Sequence, residues 1–175
     1  LKYEKPAVVV DEVNETTANQ TIQVASVSIN SPINGKMLPL SEVQDEAFSG
    51  GMLGKGVAFE PVEGKVIAPF DGEVVSLFPT KHAIGLLSND GVELLIHVGL
   101  NTVDLNGKFF EAHVKQGEKI KQGQILLTFD LESIREAGYV TQTPVVVTNT
   151  GNYSDVKHDA LGIKNSNNVM LTVHI

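Results

Sequence analysis

Residues 82–97 read His-Ala-Ile-Gly-Leu-Leu-Ser-Asn-Asp-Gly-Val-Glu-Leu-Leu-Ile-His. Two short aliphatic runs flank the Ser-Asn-Asp-Gly sequence at residues 88–91, and these residue types favour a tight turn between antiparallel strands. Similar runs of Val, Ile, Leu and Phe, interrupted by Gly, Pro, Asn or Asp, continue to the end of the chain. This pattern of short apolar runs separated by turn residues predicts an all-β protein, a sandwich or barrel of antiparallel strands with only short helical turns.

The predicted strands are short and regularly spaced. They are expected at residues 35–37, 56–60, 64–68, 72–77, 82–87, 92–98, 124–129, 144–148 and 169–175. A helix is expected at residues 131–137, where Gly138 follows the last turn, and a second short turn is expected at residues 41–46.

Two segments, residues 65–75 and 114–126, have similar turns. The first places Asp71-Gly72 between apolar runs, and the second contains Gly117 and Gly123 at a spacing of six residues. Such segments recur in duplicated β sandwiches of the biotinyl/lipoyl hybrid type, where glycine supplies the positive φ of tight turns. The likeness bears on the fold and not on function.

Two histidines are expected to meet across the predicted hairpin. A loop at residues 89–90 places His82 directly opposite His97, whereas a loop at residues 90–91 pairs Ile84 with His97 and leaves His82 diagonal to it. Both registers put the two imidazoles on one face, because only a slip of one residue changes the face. Cross-strand neighbours have Cβ atoms about 4.5–5.5 Å apart, so the two rings are predicted to share one small site.

Side-chain alternation assigns the neighbours of the two rings. It predicts that one side of the hairpin faces the core and the other bears the histidines. The expected core side comprises Leu94, Ile96 and Val98, and the expected histidine side comprises Glu93, Leu95, His97, His82, Ile84, Leu86 and Thr80.

The residues alone leave the role of the pair open. A histidine on a strand is often structural, and two histidines can also be two ligands of a metal that needs a third histidine or a carboxylate. The remaining histidines, His113, His158 and His174, have no spacing that links them to the pair and are expected at the surface. Acid-base catalysis would call for a carboxylate in the site as well.

Composition excludes several classes of protein. The chain of 175 residues has a net charge of −8, with 13 basic and 21 acidic side chains, which argues against binding to nucleic acid or to an anionic membrane surface. No apolar run is long enough for membrane insertion. Cysteine is absent, so disulfides, zinc–thiolate sites and thiol chemistry are excluded.

The organisation predicted from composition is a tail followed by one domain. Residues 1–28 are polar and rich in Asn, Glu and Thr after a short valine run, and they are expected to form a linker or flexible tail. Residues 29–175 are expected to form the compact domain. Because the chain begins at Leu1 and not at Met, it is expected to be a fragment of a longer polypeptide or a processed form.

Residues 91–103 read Gly-Val-Glu-Leu-Leu-Ile-His-Val-Gly-Leu-Asn-Thr-Val. This stretch resembles the phosphorylation-site signature of glucose-family IIA (EIIA) domains of the bacterial phosphoenolpyruvate:sugar phosphotransferase system (PTS). The matching positions are Gly91, the aliphatic triplet before His97, Gly99, Thr102 and Val103. The likeness covers about residues 29–175 and continues through residues 31–35, 45–48, 68–72, 80–83, 122–131 and 143–146.

The resemblance implies a role for each site residue. His97 is similar to the histidine that accepts phosphate on Nε2 from phosphorylated HPr. His82 resembles the second histidine, which donates to the phosphoryl oxygens, and Thr80 resembles the threonine that orients it. The carbonyl of Gly99 matches the group that fixes the Nδ1–H tautomer of the phosphorylated ring. The resemblance implies neither a cofactor nor a required metal, although His82 and His97 are also candidates for adventitious zinc binding.

The resemblance also implies partners. Phosphate would come from HPr and pass to a cysteine of a IIB domain, with a IIC membrane domain in the same system or the same chain, and the location would be cytoplasmic. The expected docking residues are Phe48, Met52, Leu53, Phe78, Leu95, Asp45 and Asn101. At Asn101 the family often has Asp, so this chain has one charge fewer there.

Three functions are therefore compared. The first is a phosphocarrier domain, classed as a phosphotransferase component. The second is a regulatory binding module whose phosphorylation state controls a transporter or kinase. The third is a zinc hydrolase of the lysostaphin type, which requires a His-x-His element that this sequence lacks. A biotinyl or lipoyl carrier is excluded, because no lysine lies in the required hairpin context.

Overall fold

The computed structural model describes residues 25–175, and the regular structure of this part of the chain consists mainly of antiparallel strands. Its strands are β1 (Ser26–Asn30), β2 (Gly35–Pro39), β3 (Lys55–Pro61), β4 (Lys65–Ile67), β5 (Gly72–Leu77), β6 (Ala83–Ser88), β7 (Glu93–His97), β8 (Phe110–Ala112), β9 (Lys119–Ile120), β10 (Ile125–Phe129), β11 (Thr143–Val147), β12 (Asp155–His158), β13 (Gly162–Lys164) and β14 (Val169–His174).

Helical structure in the described residues is limited to short pieces. The α-helices are α1 (Glu46–Ser49) and α2 (Leu131–Glu136), and 3₁₀ turns lie at Leu40–Glu42, Thr102–Leu105 and Thr150–Asn152. The Asp130 carboxylate accepts from Ser133 N at 3.0 Å at the start of α2, and Gly138 follows its end with φ +93°. The helix predicted at residues 131–137 is therefore present.

Three antiparallel sheets make up the fold. The largest has eight strands in the order β13-β2-β3-β11-β7-β6-β5-β9, and two sheets of three strands have the orders β1-β14-β12 and β4-β10-β8. The predicted all-β antiparallel fold is confirmed. Within the large sheet, β7 lies between β11 and β6, so its central residues Leu94, Leu95 and Ile96 have a backbone partner on both sides.

The two segments with similar turns lie side by side. Residues of β4 pair with β10, Gly72 of β5 pairs with Ile120 of β9, and both pairings are antiparallel. Between them, Gly123 N donates to Ala68 O and Ala68 N donates to Gln124 O, at 2.9 and 2.8 Å. The two segments are thus joined by a series of backbone hydrogen bonds that continues from one sheet to the other.

Two apolar clusters hold the sheets together. The larger contains the inward-facing side chains of most strands, among them Phe59, Ile84, Leu94 and Ile96, which are fully or almost fully buried. The smaller cluster lies on the face of the large sheet that bears His97, and it consists of Val43, Phe48, Ala58, Leu100 and Val146 with Leu40 and Leu95 at its edge. The turn at Leu40–Glu42 and α1 cover this smaller cluster.

Strand β1 begins at Ser26 and pairs with β14, so regular structure begins inside the segment that was assigned to the tail. The rest of the predicted tail, residues 1–24, lies outside the described residues. The sequence patterns also missed the short or polar strands β8, β9, β12 and β13, because two to four residues show too little alternation to be recognised.

Candidate functional site

The hairpin between β6 and β7 has neither of the two predicted registers. Ala83, and not His82 or Ile84, lies opposite His97. The loop has three residues, because Ser88 N donates to Val92 O at 2.9 Å, and Gly91 closes it with φ +94°. A three-residue loop that ends in a left-handed glycine is a common hairpin connection, and it shifts the pairing by one residue relative to a two-residue loop.

His82 nevertheless reaches His97, because it lies just before β6. His82 is therefore outside the alternation of β6, and the residue before it, Lys81, has a left-handed backbone with φ +61°. The ring centroids of the two histidines are 4.9 Å apart and their planes are inclined by 84°. Val98 N donates to His82 O at 2.7 Å, which ties the two histidine-bearing segments together. The predicted shared site is thus present, but a different local geometry forms it.

The new register changes the surroundings of the rings. Ile84 and Leu86 were expected on the histidine side, but both are fully buried in the large cluster, opposite Ile96 and Leu94. On the histidine side the neighbours are instead half-buried Leu95 and the ring of Phe48, whose centroid is 5.2 Å from that of His97.

Nδ1 of His97 donates a hydrogen bond to the carbonyl oxygen of Gly99 at 2.8 Å. Since a carbonyl only accepts, the neutral ring must have its proton on Nδ1 and a free lone pair on Nε2. Gly99 has φ +76°, and a Cβ at this position would lie 2.6 Å from Cγ2 of Thr102. Fully buried Thr102 donates to Val98 O at 2.5 Å. The turn after β7 therefore requires both the glycine and the threonine of the signature.

The second histidine is held through its Nδ1 as well. Oγ1 of Thr80 lies 2.8 Å from Nδ1 of His82. When the hydroxyl donates, the neutral ring has its proton on Nε2, the opposite tautomer to that of His97. One ring then offers a lone pair and the other an N–H donor. His82 is 3 % exposed, whereas His97 is half-buried.

Both imidazoles are neutral at pH 7. Burial, and secondarily the charge of His97, lowers the pKa of His82 to about 4. Burial also lowers the pKa of His97, while the hydrogen bond to Gly99 and the negative charge of Asp45 act in the opposite direction. A neutral ring is the form that can act as a nucleophile.

The pair is not part of a larger metal-ligand cluster. Among residues 25–175 there is no group of three or more His, Cys, Asp or Glu side chains that could hold a metal ion. The remaining histidines lie elsewhere: His113 contacts Thr128 at 2.8 Å, and exposed His158 lies in the β1-β14-β12 sheet.

The expected docking residues divide into two groups. Phe48 was predicted at the rim, but it is only 4 % exposed and belongs to the small cluster, because α1 presses its ring against the sheet. Met52, Leu53 and Phe78 are exposed, at 82 %, 41 % and 37 %, and the Phe78 ring lies 5.5 Å from that of His82. Asp45 caps α1 by accepting from Ala47 N, and exposed Asn101 has a left-handed backbone.

A family comparison matches this arrangement. The model of the EIIA 1 family of the phosphoenolpyruvate-dependent sugar phosphotransferase system matches residues 27–153, a span that includes both histidines, Thr80 and Gly99. The chain belongs to this family.

Curated relatives of this EIIA domain are larger proteins. The chain is 48 % identical over 147 residues to the PTS system beta-glucoside-specific EIIBCA component of Halalkalibacterium halodurans, covering 83 % of this chain and 23 % of the relative. It is 55 % identical over 127 residues to the glucosamine-specific EIICBA component of Bacillus subtilis, covering 73 % of this chain and 20 % of the relative. The chain thus spans about a fifth of the length of these curated relatives.

A solved structure has the same fold. The glucose permease IIA of Mycoplasma capricolum superposes with a TM-score of 0.78 at 35 % identity, covering 84 % of this chain and 95 % of that one. The resemblance drawn from the signature is therefore confirmed, and the domain is a phosphotransferase-system component. Among the described residues, none of the helices has the length and apolarity that crossing a bilayer requires.

Sequence patterns did not identify several residues that position the rings. The cluster beneath His97 draws on Val43, Ala58, Leu100 and Val146, which lie far apart in the chain. Leu100 N donates to Val140 O at 2.9 Å, a contact between segments forty residues apart. Local periodicity has no access to such pairings.

Proposed function

We propose that the domain is a phosphocarrier in which His97 accepts a phosphoryl group on Nε2 from phosphorylated HPr and passes it to a cysteine of a IIB domain. The observation that best supports this role is the 2.8 Å hydrogen bond from Nδ1 of His97 to the Gly99 carbonyl, with the His82 ring 4.9 Å away. This hydrogen bond leaves Nε2 as the nucleophilic nitrogen of the ring and fixes the direction of its lone pair.

The first transfer requires no proton to leave the acceptor. The lone pair of His97 Nε2 forms the new P–N bond while the P–N bond of phospho-HPr breaks, and the proton stays on Nδ1, hydrogen-bonded to the Gly99 carbonyl. Phosphoryl transfer depends mainly on in-line positioning and stabilisation of charge. Because Thr80 holds Nδ1 of His82, the Nε2–H of His82 is available to donate to a phosphoryl oxygen.

The second transfer uses the same residues in reverse. A thiolate of the IIB domain forms a P–S bond as the P–N bond breaks, and His97 leaves as a neutral ring because Nδ1 still bears its proton. The half-buried position of His97 beside Phe48 and Leu95 limits access of water, which would otherwise hydrolyse the phosphohistidine.

Partners follow from this role. A IIB domain is the proposed acceptor, since the curated relatives are EIIBCA and EIICBA components. HPr is the proposed donor because His97 resembles the histidine that accepts phosphate from HPr. A IIC domain would belong to the same system, and the domain would work on the cytoplasmic side, where HPr is found. The exposed rim residues Met52, Leu53 and Phe78, together with Leu95, Asp45 and Asn101, are the proposed docking surface.

Labelling with phosphoenolpyruvate, Enzyme I and HPr tests the acceptor. One acid-labile, base-stable phosphoryl group is expected on His97, and His97→Gln is expected to abolish it. His158→Gln, the same change at an exposed strand histidine, is the matched control and should leave labelling unchanged. A folded His97→Gln variant that still accepts phosphate, or an acid-stable label, would refute the proposal.

The His82→Gln variant separates the two rings. Because His82 stabilises charge and is not the nucleophile, the variant should still accept phosphate, whereas delivery to the IIB cysteine should slow by about 100–1000-fold. Equal loss of acceptance and delivery would instead indicate that the two rings have a common structural or metal-binding role.

A further inference from the structure

Gln142 lies directly before β11, and its side chain is well placed to act on the histidine rings indirectly. It is 8 % exposed, and its side-chain amide makes two hydrogen bonds to one loop. Oε1 accepts from the backbone N of Gln44 at 2.9 Å, and Nε2 donates to the backbone carbonyl of Glu42 at 3.1 Å. About one hundred residues of the chain separate Gln142 from Gln44 and Glu42.

The bonded loop connects the turn at Leu40–Glu42 to α1. Asp45 follows Gln44 and caps α1 by accepting from Ala47 N at 3.0 Å, and α1 carries Phe48 to within 5.2 Å of His97 between ring centroids. A helix of four residues is too short to be stable by itself, so anchors at its ends decide where it lies. The amide of Gln142 is such an anchor.

We infer that Gln142 is a positioning residue of the phosphoryl-accepting site, which acts by holding the loop at residues 42–45 and thereby the Asp45 carboxylate and the Phe48 ring beside His97. This inference rests on the proposed function of His97. A side-chain amide offers a donor and an acceptor in one planar group at every pH, as the two backbone partners require. An apolar side chain of equal length fills the space but leaves both backbone groups unpaired.

The substitution Gln142→Met tests the inference, with Gln124→Met as the matched control. Gln124 is a partly buried glutamine whose Oε1 accepts from Lys121 N at 3.0 Å in a turn next to β10, which belongs to another sheet. The first readout is the titration of the His97 ring by nitrogen NMR, which requires no phosphorylation. The second is the rate of phosphoryl acceptance from phospho-HPr between pH 5.5 and 8.

In Gln142→Met, the His97 titration midpoint should move upward toward the ordinary histidine value. Burial is the main cause that lowers the pKa of His97, and loosening Phe48 relieves that burial; displacing the Asp45 carboxylate removes a smaller cause that raises the pKa, so the net shift is upward. Acceptance should slow by about tenfold or more, because small displacements of a positioned reactant have effects of this size. Gln124→Met should change neither readout. A folded Gln142→Met variant with an unchanged titration and an unchanged rate would overturn the inference.

The variant Gln142→Glu keeps the test decisive if Gln142→Met does not fold. A protonated carboxyl has both a donor and an acceptor, whereas the ionised carboxylate only accepts and faces the carbonyl of Glu42. The ratio of the acceptance rate of Gln142→Glu to that of the unaltered protein should therefore fall as pH rises. A ratio that is the same at every pH contradicts the inference. If the unaltered protein accepts no phosphate at all, the proposed function fails, while the His97 titrations still decide the role of Gln142.

Discussion

Nδ1 of His97 and the carbonyl oxygen of Gly99 lie 2.8 Å apart in a turn that only glycine fits. The turn bends back on the ring because Gly99 has φ +76°, where an L side chain is strained, and because the space for a Cβ is already occupied by the methyl group of Thr102. The tautomer of His97 is thus set by backbone geometry two residues away. The signature glycine serves the chemistry through its conformation.

Replacement of Gly99 by alanine should both destabilise the domain and slow phosphoryl acceptance. The new Cβ would lie 2.6 Å from Thr102 Cγ2 and 3.2 Å from Val140 O, so the turn must move and the Gly99 carbonyl with it. We expect a loss of about 1–3 kcal/mol in the free energy of unfolding, measured with urea, together with a lower acceptance rate.

Gly117→Ala is the control for Gly99→Ala. Gly117 also has a positive φ, +90°, but a Cβ there would meet nothing within 4 Å. The control therefore has the backbone strain without the clash, and it should lose some stability but accept phosphate at the normal rate. If both variants accept phosphate equally well, the Gly99 carbonyl does not set the reactivity of His97.

Thr80→Val should disturb the second histidine without affecting the first. Loss of the hydroxyl removes the partner at 2.8 Å from Nδ1 of His82, so the ring is no longer held in the Nε2–H form. Nitrogen NMR of the imidazole should show a changed tautomer population, and delivery to the IIB cysteine should slow more than acceptance from HPr. Thr80→Ser, which keeps the hydroxyl, should restore both.

The chain offers a matched control for the contact between Thr80 and His82. Thr128 Oγ1 lies 2.8 Å from Nε2 of His113 on an exposed surface of the β4-β10-β8 sheet. Thr128→Val should change neither the His82 tautomer nor delivery. Equal slowing in Thr80→Val and Thr128→Val would mean that the effect arises from a general loss of structure.

Local sequence patterns predicted the hairpin and the contact between the two histidines. They gave the wrong loop length and strand register, and the causes of these two errors are also local. A two-residue loop was expected, but Gly91 at φ +94° makes a three-residue loop and shifts the register by one. That shift alone would put His82 on the core side. His82 is not bound by the alternation because it lies before β6, directly after Lys81, whose backbone is left-handed with φ +61°. Lysine has no preference for this conformation, so no sequence pattern could have indicated it.

The support of the site was less predictable than the site itself. The side chain of Gln142 binds backbone groups at Glu42 and Gln44, and Val140 binds Leu100, so these contacts depend on how distant strands are arranged. Phe48 was assigned to the rim because the family resemblance places the docking rim there, although by composition the residue could equally belong to the core. Only the packing of α1 against the large sheet shows that it is buried.

Stability should depend on pH because folding lowers the pKa of both histidines. The folded-state pKa of His82 is about 4, well below the ordinary histidine value. As pH falls below about 6.5, the unfolded chain takes up a proton that the folded domain does not take up until about pH 4. The contribution of neutral His82 to the free energy of unfolding is therefore complete above about pH 6.5 and is lost as pH falls toward 4. The lowered pKa of His97 acts in the same sense.

Urea unfolding at several pH values measures this effect. The free energy of unfolding should decrease by up to about 1 kcal/mol per pH unit on acidification from pH 6.5 to 4.5. His82→Gln should flatten this slope, because the substituted side chain no longer titrates, whereas His158→Gln, at an exposed position, should leave it intact. An equal slope in the unaltered protein and in His82→Gln would show that other groups dominate the acid sensitivity.

The last prediction concerns the docking surface, and it depends on the difference between Phe48 and Phe78. Phe48 is buried against the sheet, so Phe48→Asp should unfold or strongly destabilise the domain. Phe78 is 37 % exposed beside His82, so Phe78→Asp should leave the domain folded while it slows acceptance from HPr. Ile163→Asp is the control, because Ile163 is highly exposed on β13, four strands from β7 in the large sheet. Circular dichroism and acceptance rates measure the two effects. Normal acceptance by folded Phe78→Asp would place the docking surface elsewhere, whereas the assignment of His97 would remain.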